Sequence, residues 1–369
     1  MAVRIGLAYN LKPEAPATPA GAATDSPSNS EEPPSRALRA DLAQPDLYAE
    51  WDEPATIAAV ERALSTLGEV ILLEADADFP SKLASTRPDF VFNIAEGLYG
   101  PNREGHVPAI CEFYDIPCHA SDPLSLSLCL HKGRAKEIMA QHGVPTEPFV
   151  MARTRDDARN VALPFPLFAK PAFEGSGKGV SVRSLCHNRA ELVAQTGYLL
   201  DTYRQPVLIE TWLPGREFTV PVIGNGDEAR CLPIVGMRFD TLPAGAPPIY
   251  GYEAKWLWDT IEQPLEIYEC PADVAPELGR AVEAAALAAY RALDCRDWCR
   301  IDVRCDAAGH PMVVELNPLP GILPDPRDNS CFPKAARAAG MNYDDLIRTV
   351  ADIAWRRIAG RSLLTEVAR

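Results

Sequence analysis

Apolar and polar positions along the chain fall into short blocks whose period changes repeatedly. Val3-Arg-Ile-Gly-Leu-Ala-Tyr9, Val70-Ile-Leu-Leu73 and Phe90-Val-Phe92 read as strands. Between them lie a helical pattern at about 53–67, a further helix ahead of Phe90, and another at about 104–113. Strands alternating with helices over short links predict a parallel sheet in a doubly wound domain, running to about residue 123. A second unit, 124–215, opens with a helix over Leu124–His142 that Gly143 caps. It continues with the strand Leu167-Phe-Ala-Lys170, a glycine-rich loop, Gly179-Val-Ser-Val-Arg183, a helix near 188–202 and the strand Val207-Leu-Ile-Glu210. A third unit, 216–369, holds strands near 217–223 and 231–238, an Ala-rich helix at 276–293, a hairpin and a last helix near 343–358. The class is α/β in three subdomains. Residues 12–46 break the pattern: Pro, Ala, Ser and acidic residues dominate, so a mobile insertion is expected there.

The hairpin joins Arg300-Ile-Asp302-Val-Arg-Cys to Val313-Val-Glu315-Leu-Asn317-Pro through Asp306-Ala-Ala-Gly309-His310. If the turn centres between Ala308 and Gly309, Asp302 pairs with Glu315 and Arg300 with Asn317. Residues two apart share a strand face, so all four polar groups project together, with Ile301, Val303, Val314 and Leu316 on the other side. Two carboxylates, an amide and a guanidinium on one face suit Mg²⁺ and phosphate oxygens. A solvated hairpin with its charges outward is the commoner meaning of such a pattern.

The chain has 369 residues, 47% of them hydrophobic, enough for two or three domains with a sizeable core. Its formal charge of −15 argues against nucleic acid or anionic membranes as main partners. No run is long enough to span a membrane, and the first residues lack a signal peptide's cleavage pattern. Ten cysteines without a Cys-x-x-Cys pair read as small core residues in a reducing compartment, with the cytoplasm as the default.

Two further stretches carry chemistry. Lys170-Pro-Ala-Phe-Glu174-Gly175-Ser176-Gly177-Lys178-Gly179 lets backbone N–H groups approach anionic oxygens, with lysines supplying charge. It lacks the Walker A spacing and joins strand-like runs, so a lid over phosphates and a ligand-free flexible hairpin both fit. In Leu208-Ile-Glu210-Thr-Trp212-Leu213-Pro-Gly-Arg216-Glu217 a linker runs between two strands. Glu210 and nearby amides suit an adenine edge and Glu217 suits ribose hydroxyls, although a plain interdomain link is the likelier meaning from physics alone. Lys132 by itself is an ordinary lysine in an apolar helical context.

In order and wording these motifs resemble the ATP-grasp superfamily and, within it, the D-alanine–D-alanine ligases, over roughly residues 88–350. The points of similarity are Lys170-Pro…Glu174-Gly-Ser176, Leu208-Ile-Glu210…Trp212-Leu213…Glu217-Phe-Thr-Val220, Tyr252-Glu-Ala-Lys255, Arg300-Ile-Asp302-Val and Glu315-Leu-Asn317-Pro…Pro320-Gly321. The resemblance implies a three-subdomain ATP-grasp architecture and an ATP-dependent ligase that makes an amide through an acyl phosphate. It further implies ATP held by Lys132, Lys170, Glu174, Gly175, Ser176, Gly177, Glu210, Trp212, Leu213 and Glu217. Mg²⁺, two ions by analogy with Mn²⁺ as a substitute, would rest on Asp302, Glu315 and Asn317. Arg300 and the Gly321 amide would stabilise the tetrahedral intermediate, with Ser176 and Lys255 in the catalytic set. Small amino-acid or peptide substrates and a homodimer built on the first domain are the implied partners.

The first-substrate region departs from the family pattern. Its N-terminal glutamate has no clear counterpart, Glu14 being the nearest candidate. The family's His-Gly is Glu96-Gly97, the tyrosine after Glu-Ala-Lys is Trp256, and Ser330 is the nearest match to the serine holding the second substrate's carboxylate. Glu96 would prefer a cationic group. Two other readings stay open: a ligase of specialised metabolism with different substrates, and a non-catalytic nucleotide-binding relative, against which the complete Asp302, Glu315 and Asn317 set argues.

Overall fold

The computed structural model describes residues 2–13, 47–251, 253, 254, 258, 259 and 265–367. Residues 14–46 of the expected insertion, and with them Glu14, lie outside the described residues, as do Tyr252, Lys255 and Trp256. The N-terminal sheet consists of β1 (Arg4–Tyr9), β2 (Glu69–Glu74) and β3 (Phe90–Asn93), parallel, in the order β2-β1-β3. Alternation along the strands fills two cores. Ile5, Leu7, Phe90 and Phe92 face the helices Pro54–Ser65 and Tyr343–Ala359, whereas Ala8, Val91 and Leu73 face Phe79–Thr86 and His106–Phe113. A sheet covered on both faces needs nearly continuous apolar strands, which is what the sequence showed.

The second sheet holds β4 (Phe149–Ala152), β5 (Leu167–Pro171), β6 (Leu185–Cys186) and β7 (Val207–Thr211), antiparallel, in the order β4-β7-β5-β6, backed by the helix Arg189–Tyr203. The third holds β8 (Glu217–Ile223), β9 (Arg230–Cys231), β10 (Val235–Met237), β11 (Tyr268–Glu269), β12 (Trp298–Cys305) and β13 (Pro311–Asn317), ordered β11-β10-β8-β12-β13 with β9 on β8. The helix Pro276–Ala292 packs Val282, Ala286 and Ala289 beneath it.

Three local differences from the sequence pattern matter. The single helix expected over 124–142 is two, Pro123–Leu130 and Lys132–Gln141, separated at His131 with φ −83° and ψ 83°. The break turns Lys132 to the start of the second helix, where it points into the molecule. The strand expected at 179–183 is a turn leading into a 3₁₀ segment, Val182–Ser184, and pairing begins only at Leu185. The strand expected at 231–238 is two short pieces, β9 and β10, parted around Pro233, which has no N–H for the ladder.

Candidate active site

A cleft opens between the second and third sheets. One side carries Phe168 and Lys170 on β5, Glu210 and Thr211 on β7, and the linker residues Trp212 and Leu213. The other carries Glu217 and Thr219 on β8, Arg300, Asp302 and Arg304 on β12, and Val314 and Glu315 on β13. On the hairpin, Arg300 pairs with Asn317 and Asp302 with Glu315, as the turn spacing predicts. Beyond Asp302 a bulge shifts the register, so Val303 opposes Val313. Val313 therefore enters the core beside Leu316, and Val314, expected in the core, lines the cleft instead.

The hairpin's polar face is densely paired. Asp302 accepts from Thr219 Oγ1 at 2.8 Å, from Arg300 Nη2 at 3.0 Å and from Asn317 Nδ2 at 3.3 Å. Glu315 lies 3.3 Å from Lys132 Nζ and 3.9 Å from Lys170 Nζ. Burial alone would raise the Glu315 carboxyl, yet Lys132, Lys170 and Arg300 hold it at about 2. It is an anion at any working pH. Two carboxylates and the Asn317 amide offer hard oxygen donors on one face, the donor chemistry of Mg²⁺. No group of three His, Cys, Asp or Glu side chains suited to a metal occurs among the described residues. A cation here would rest on two carboxylates, one amide and ligand oxygens.

A buried quartet reaches the cleft, with Glu147, Lys170 and Glu210 in its lining and Lys136 behind them. Lys136 reaches Glu147 at 2.7 Å and Glu210 at 3.2 Å, and Lys170 reaches Glu210 at 2.9 Å. Burial pushes both carboxyls up. Glu210, between two lysines, is nonetheless held at about 2, whereas Glu147, also repelled by Glu210, stays raised at about 7. At the linker, Arg304 lies 4.1 Å over the Trp212 ring and donates to Glu217 Oε2 at 2.6 Å, and Trp212 stacks on Phe168 at 5.6 Å.

A second cavity adjoins the first where Ser176 and Arg300 line both. Its walls come from Glu50, Asp52, Glu96 and Glu104 of the N-terminal unit and from Lys132, Asn317 and Gly321 of the core. Glu50 ties the glycine-rich loop to the N-terminal unit: its Oε1 accepts from Gly175 N at 2.9 Å, both its oxygens accept from Arg103 Nη2 at 3.0 Å, and it pairs with Lys178 at 2.8 Å. A Cβ at Gly175 would lie 2.5 Å from Glu50 Oε1, so a side chain there would have to displace the Glu50 carboxylate from these contacts. Burial would raise Glu50, but Lys178 and Arg103 hold it at about 2.

The candidate residues distribute as follows. Ser176 and Gly177 line the first cleft and Gly175 the second, both beside the hairpin. The Glu174 side chain turns inward, accepting from Gln205 Nε2 at 2.7 Å and pairing with Lys178 at 2.5 Å, while its carbonyl accepts from Lys132. Glu96 and Gly321 line the second cavity. Ser330 lines neither: its hydroxyl donates to Gly321 O and accepts from Leu323 N, both at 3.1 Å, bracing the 321–330 loop. Lys136, Glu147, Arg304, Glu50 and Arg103 drew no attention in the sequence. Lys136 and Arg304 were within reach, one helical turn past Lys132 and two residues past Asp302 on the same faces.

A family model described as the D-ala D-ala ligase C-terminus matches residues 138–352. The D-alanine–D-alanine ligase of Cupriavidus taiwanensis is 34% identical over 73% of this chain and 77% of its own length. An uncharacterised protein of Sinorhizobium fredii, y4sG, is 33% identical over 85% of this chain and 91% of its own. Among solved structures, the D-alanine–D-alanine ligase of Bacillus anthracis complexed with ATP superposes with a TM-score of 0.63 at 22% identity, covering 96% of this chain and 98% of that one. The VanG D-Ala:D-Ser ligase of Enterococcus faecalis gives 0.66 at 18%, covering 96% and 100%. With the ATP-grasp fold, the cleft between two sheets and this likeness together, the chain belongs to the D-alanine–D-alanine ligase family of ATP-dependent carboxylate–amine ligases.

Proposed function

We propose that the first cleft binds ATP and that the second cavity holds the amino-acid substrate whose carboxylate is activated. The observation that carries this reading is Glu315 held between Lys132 and Lys170 across the mouth of the cleft, with Asp302 beside it. The two lysines would transfer their attraction to the β- and γ-phosphates, freeing Glu315, Asp302 and Asn317 for Mg²⁺, whose bound charge neutralises the anions that must meet. Trp212 and Leu213 flank the base, Glu217 faces the ribose, and Gly175, Ser176 and Gly177 cover the phosphates. Glu174 acts from behind the cleft by fixing the loop, and Glu210, in the cleft wall, orients Lys170.

A substrate carboxylate oxygen attacks the γ-phosphorus and ADP leaves, giving an acyl phosphate. The amine of a second substrate then attacks that carbonyl, loses a proton, and expels phosphate as the amide forms. Arg300 and the Gly321 N–H stabilise the oxyanion. The chain comprises the units 1–123, 124–215 and 216–369, works in the cytoplasm, where its ten free cysteines stay reduced, and pairs as a homodimer through the N-terminal unit. Phe113, 83% exposed on an apolar face with Ile110 and Tyr114, supports that interface. D-Alanine is the first amino acid to assay, because relatives carry that name. The test is ADP release from MgATP with a panel of D- and L-amino acids, each product identified by mass spectrometry. Amino-acid-dependent ADP with a new amide supports the reading; nucleotide binding with no turnover on any amino acid refutes it.

A further inference from the structure

The second cavity is lined by more carboxyl groups than one amino group needs. Arg103 and Lys178 are already matched by Glu50 and Glu174, and Lys132 by Glu315. Three carboxylates remain: Asp52, Glu96 and Glu104. Glu104 is 7% exposed, faces the cavity, and has neither hydrogen bond nor ion pair among the described residues. A buried, unpaired carboxylate aimed into a cavity is costly unless a ligand completes it. All three carboxyls are raised, chiefly by burial. Burial, then repulsion by Glu104 and Glu50, pushes Glu96 well up. Burial sets Glu104 at about 7 against the pull of Arg103, and burial with Glu53 sets Asp52 at about 8.

The rest of the lining has matching chemistry. Trp51, fixed by its Nε1 donating to Gly97 O at 3.1 Å, presents an aromatic ring to the same space, a favourable neighbour for a cation. Leu130, Leu319 and Ile322 add apolar lining for an aliphatic stem. A bound α-amino acid with its carboxylate toward Lys132 and Arg300 uses one anion for its α-ammonium and leaves the others unmet.

We propose that the cavity selects a dibasic amino acid, one with a second cationic group on an aliphatic stem of the lysine, ornithine or arginine kind, with Glu104, Glu96 and Asp52 receiving its two cations. This rests on the ligase reading and narrows its substrate class.

The test compares kcat/KM for ADP release with lysine, ornithine and arginine, in both D and L forms, against alanine, serine and norleucine, which keeps lysine's stem without its charge. A charge-assisted contact is worth about tenfold to a hundredfold, so a basic amino acid is expected to exceed norleucine by at least about tenfold. Glu104→Gln, and separately Glu96→Gln, is expected to pull that ratio toward one, with thermal melting and ADP binding reporting that each variant is folded. Alanine or norleucine turned over as well as every basic amino acid overturns the inference and leaves the ligase reading standing. No ADP with any amino acid, despite nucleotide binding, overturns both.

Discussion

Lys136→Met probes the buried quartet in the cleft wall. Lys136 is fully buried, 2.7 Å from Glu147 and 3.2 Å from Glu210, and donates to Thr146 Oγ1 at 3.0 Å. Removing one partner of a buried ion pair costs about 3–5 kcal/mol, because the other charge stays behind. Two carboxylates would then share Lys170. Glu147 softens the loss, since its carboxyl already sits at about 7 against an ordinary 4.5 and can take a proton. The sign follows from that value. A carboxyl raised on folding binds its proton more tightly in the native state, so stability falls as pH rises from about 4.5 to 7 and is level above. Without Lys136 the native value climbs further, and the fall continues past pH 7 at up to about 1.4 kcal/mol per unit. The expected destabilisation is therefore about 3 kcal/mol at pH 7, rising by about 2 kcal/mol at pH 8.5. Urea unfolding followed by tryptophan fluorescence at both pH values measures it, and Lys136→Met with Glu147→Gln should recover most of the high-pH increment. A loss under about 1 kcal/mol, or one equal at the two pH values, would show that the quartet is not a charge-balanced unit.

Other perturbations reach the remaining parts of the site. Glu315→Gln removes the anion held by Lys132 and Lys170 and should lower kcat for ADP release by at least about a thousandfold, with a weakened response to Mg²⁺ titration; activity within tenfold of the parent would remove Glu315 from the metal role. EDTA should abolish turnover and Mg²⁺ or Mn²⁺ restore it, whereas full activity in chelator would refute a divalent-ion requirement. Gly175→Ala drives a Cβ to 2.5 Å from Glu50 Oε1 and should raise the KM for ATP several-fold through a displaced loop, and an unchanged KM would show that this tether does not position the loop. Asp52 at about 8 and Glu104 at about 7 are raised carboxyls, so the ligand-free melting temperature should fall between pH 5 and pH 8. Over that range Glu50, Glu210 and Glu315, all at about 2, contribute a constant amount; a melting temperature that climbs steadily to pH 8 contradicts this balance.

The parts legible in the sequence were those set by short-range geometry. A two-residue period and a recognisable turn put Arg300, Asp302, Glu315 and Asn317 on one face, and those pairings are the ones seen. The same reasoning misplaced Val314, because the bulge leaves one extra residue in β13 and reverses the alternation beyond Glu315, which a two-residue period does not foresee. Glu50 shows the other limit. It lies beside a Pro/Ala-rich stretch that reads as linker, and its partners Arg103, Gly175 and Lys178 are between 53 and 128 residues away in sequence. No periodicity spans such distances, so the anchor of the phosphate loop emerges only once the chain is folded. Lys136 follows the same logic: on a helix it resembles any lysine, and only the arrival of Glu147 and Glu210 from two strand ends makes it a buried cation. The acidic wall of the second cavity lies between these cases. Glu96 stood out as a departure where the family carries a histidine, but its meaning depends on Glu104 and Asp52 sharing the cavity. One substituted carboxylate is a local change; three around one empty volume, with the nearby cations already matched, set a charge requirement on whatever enters it.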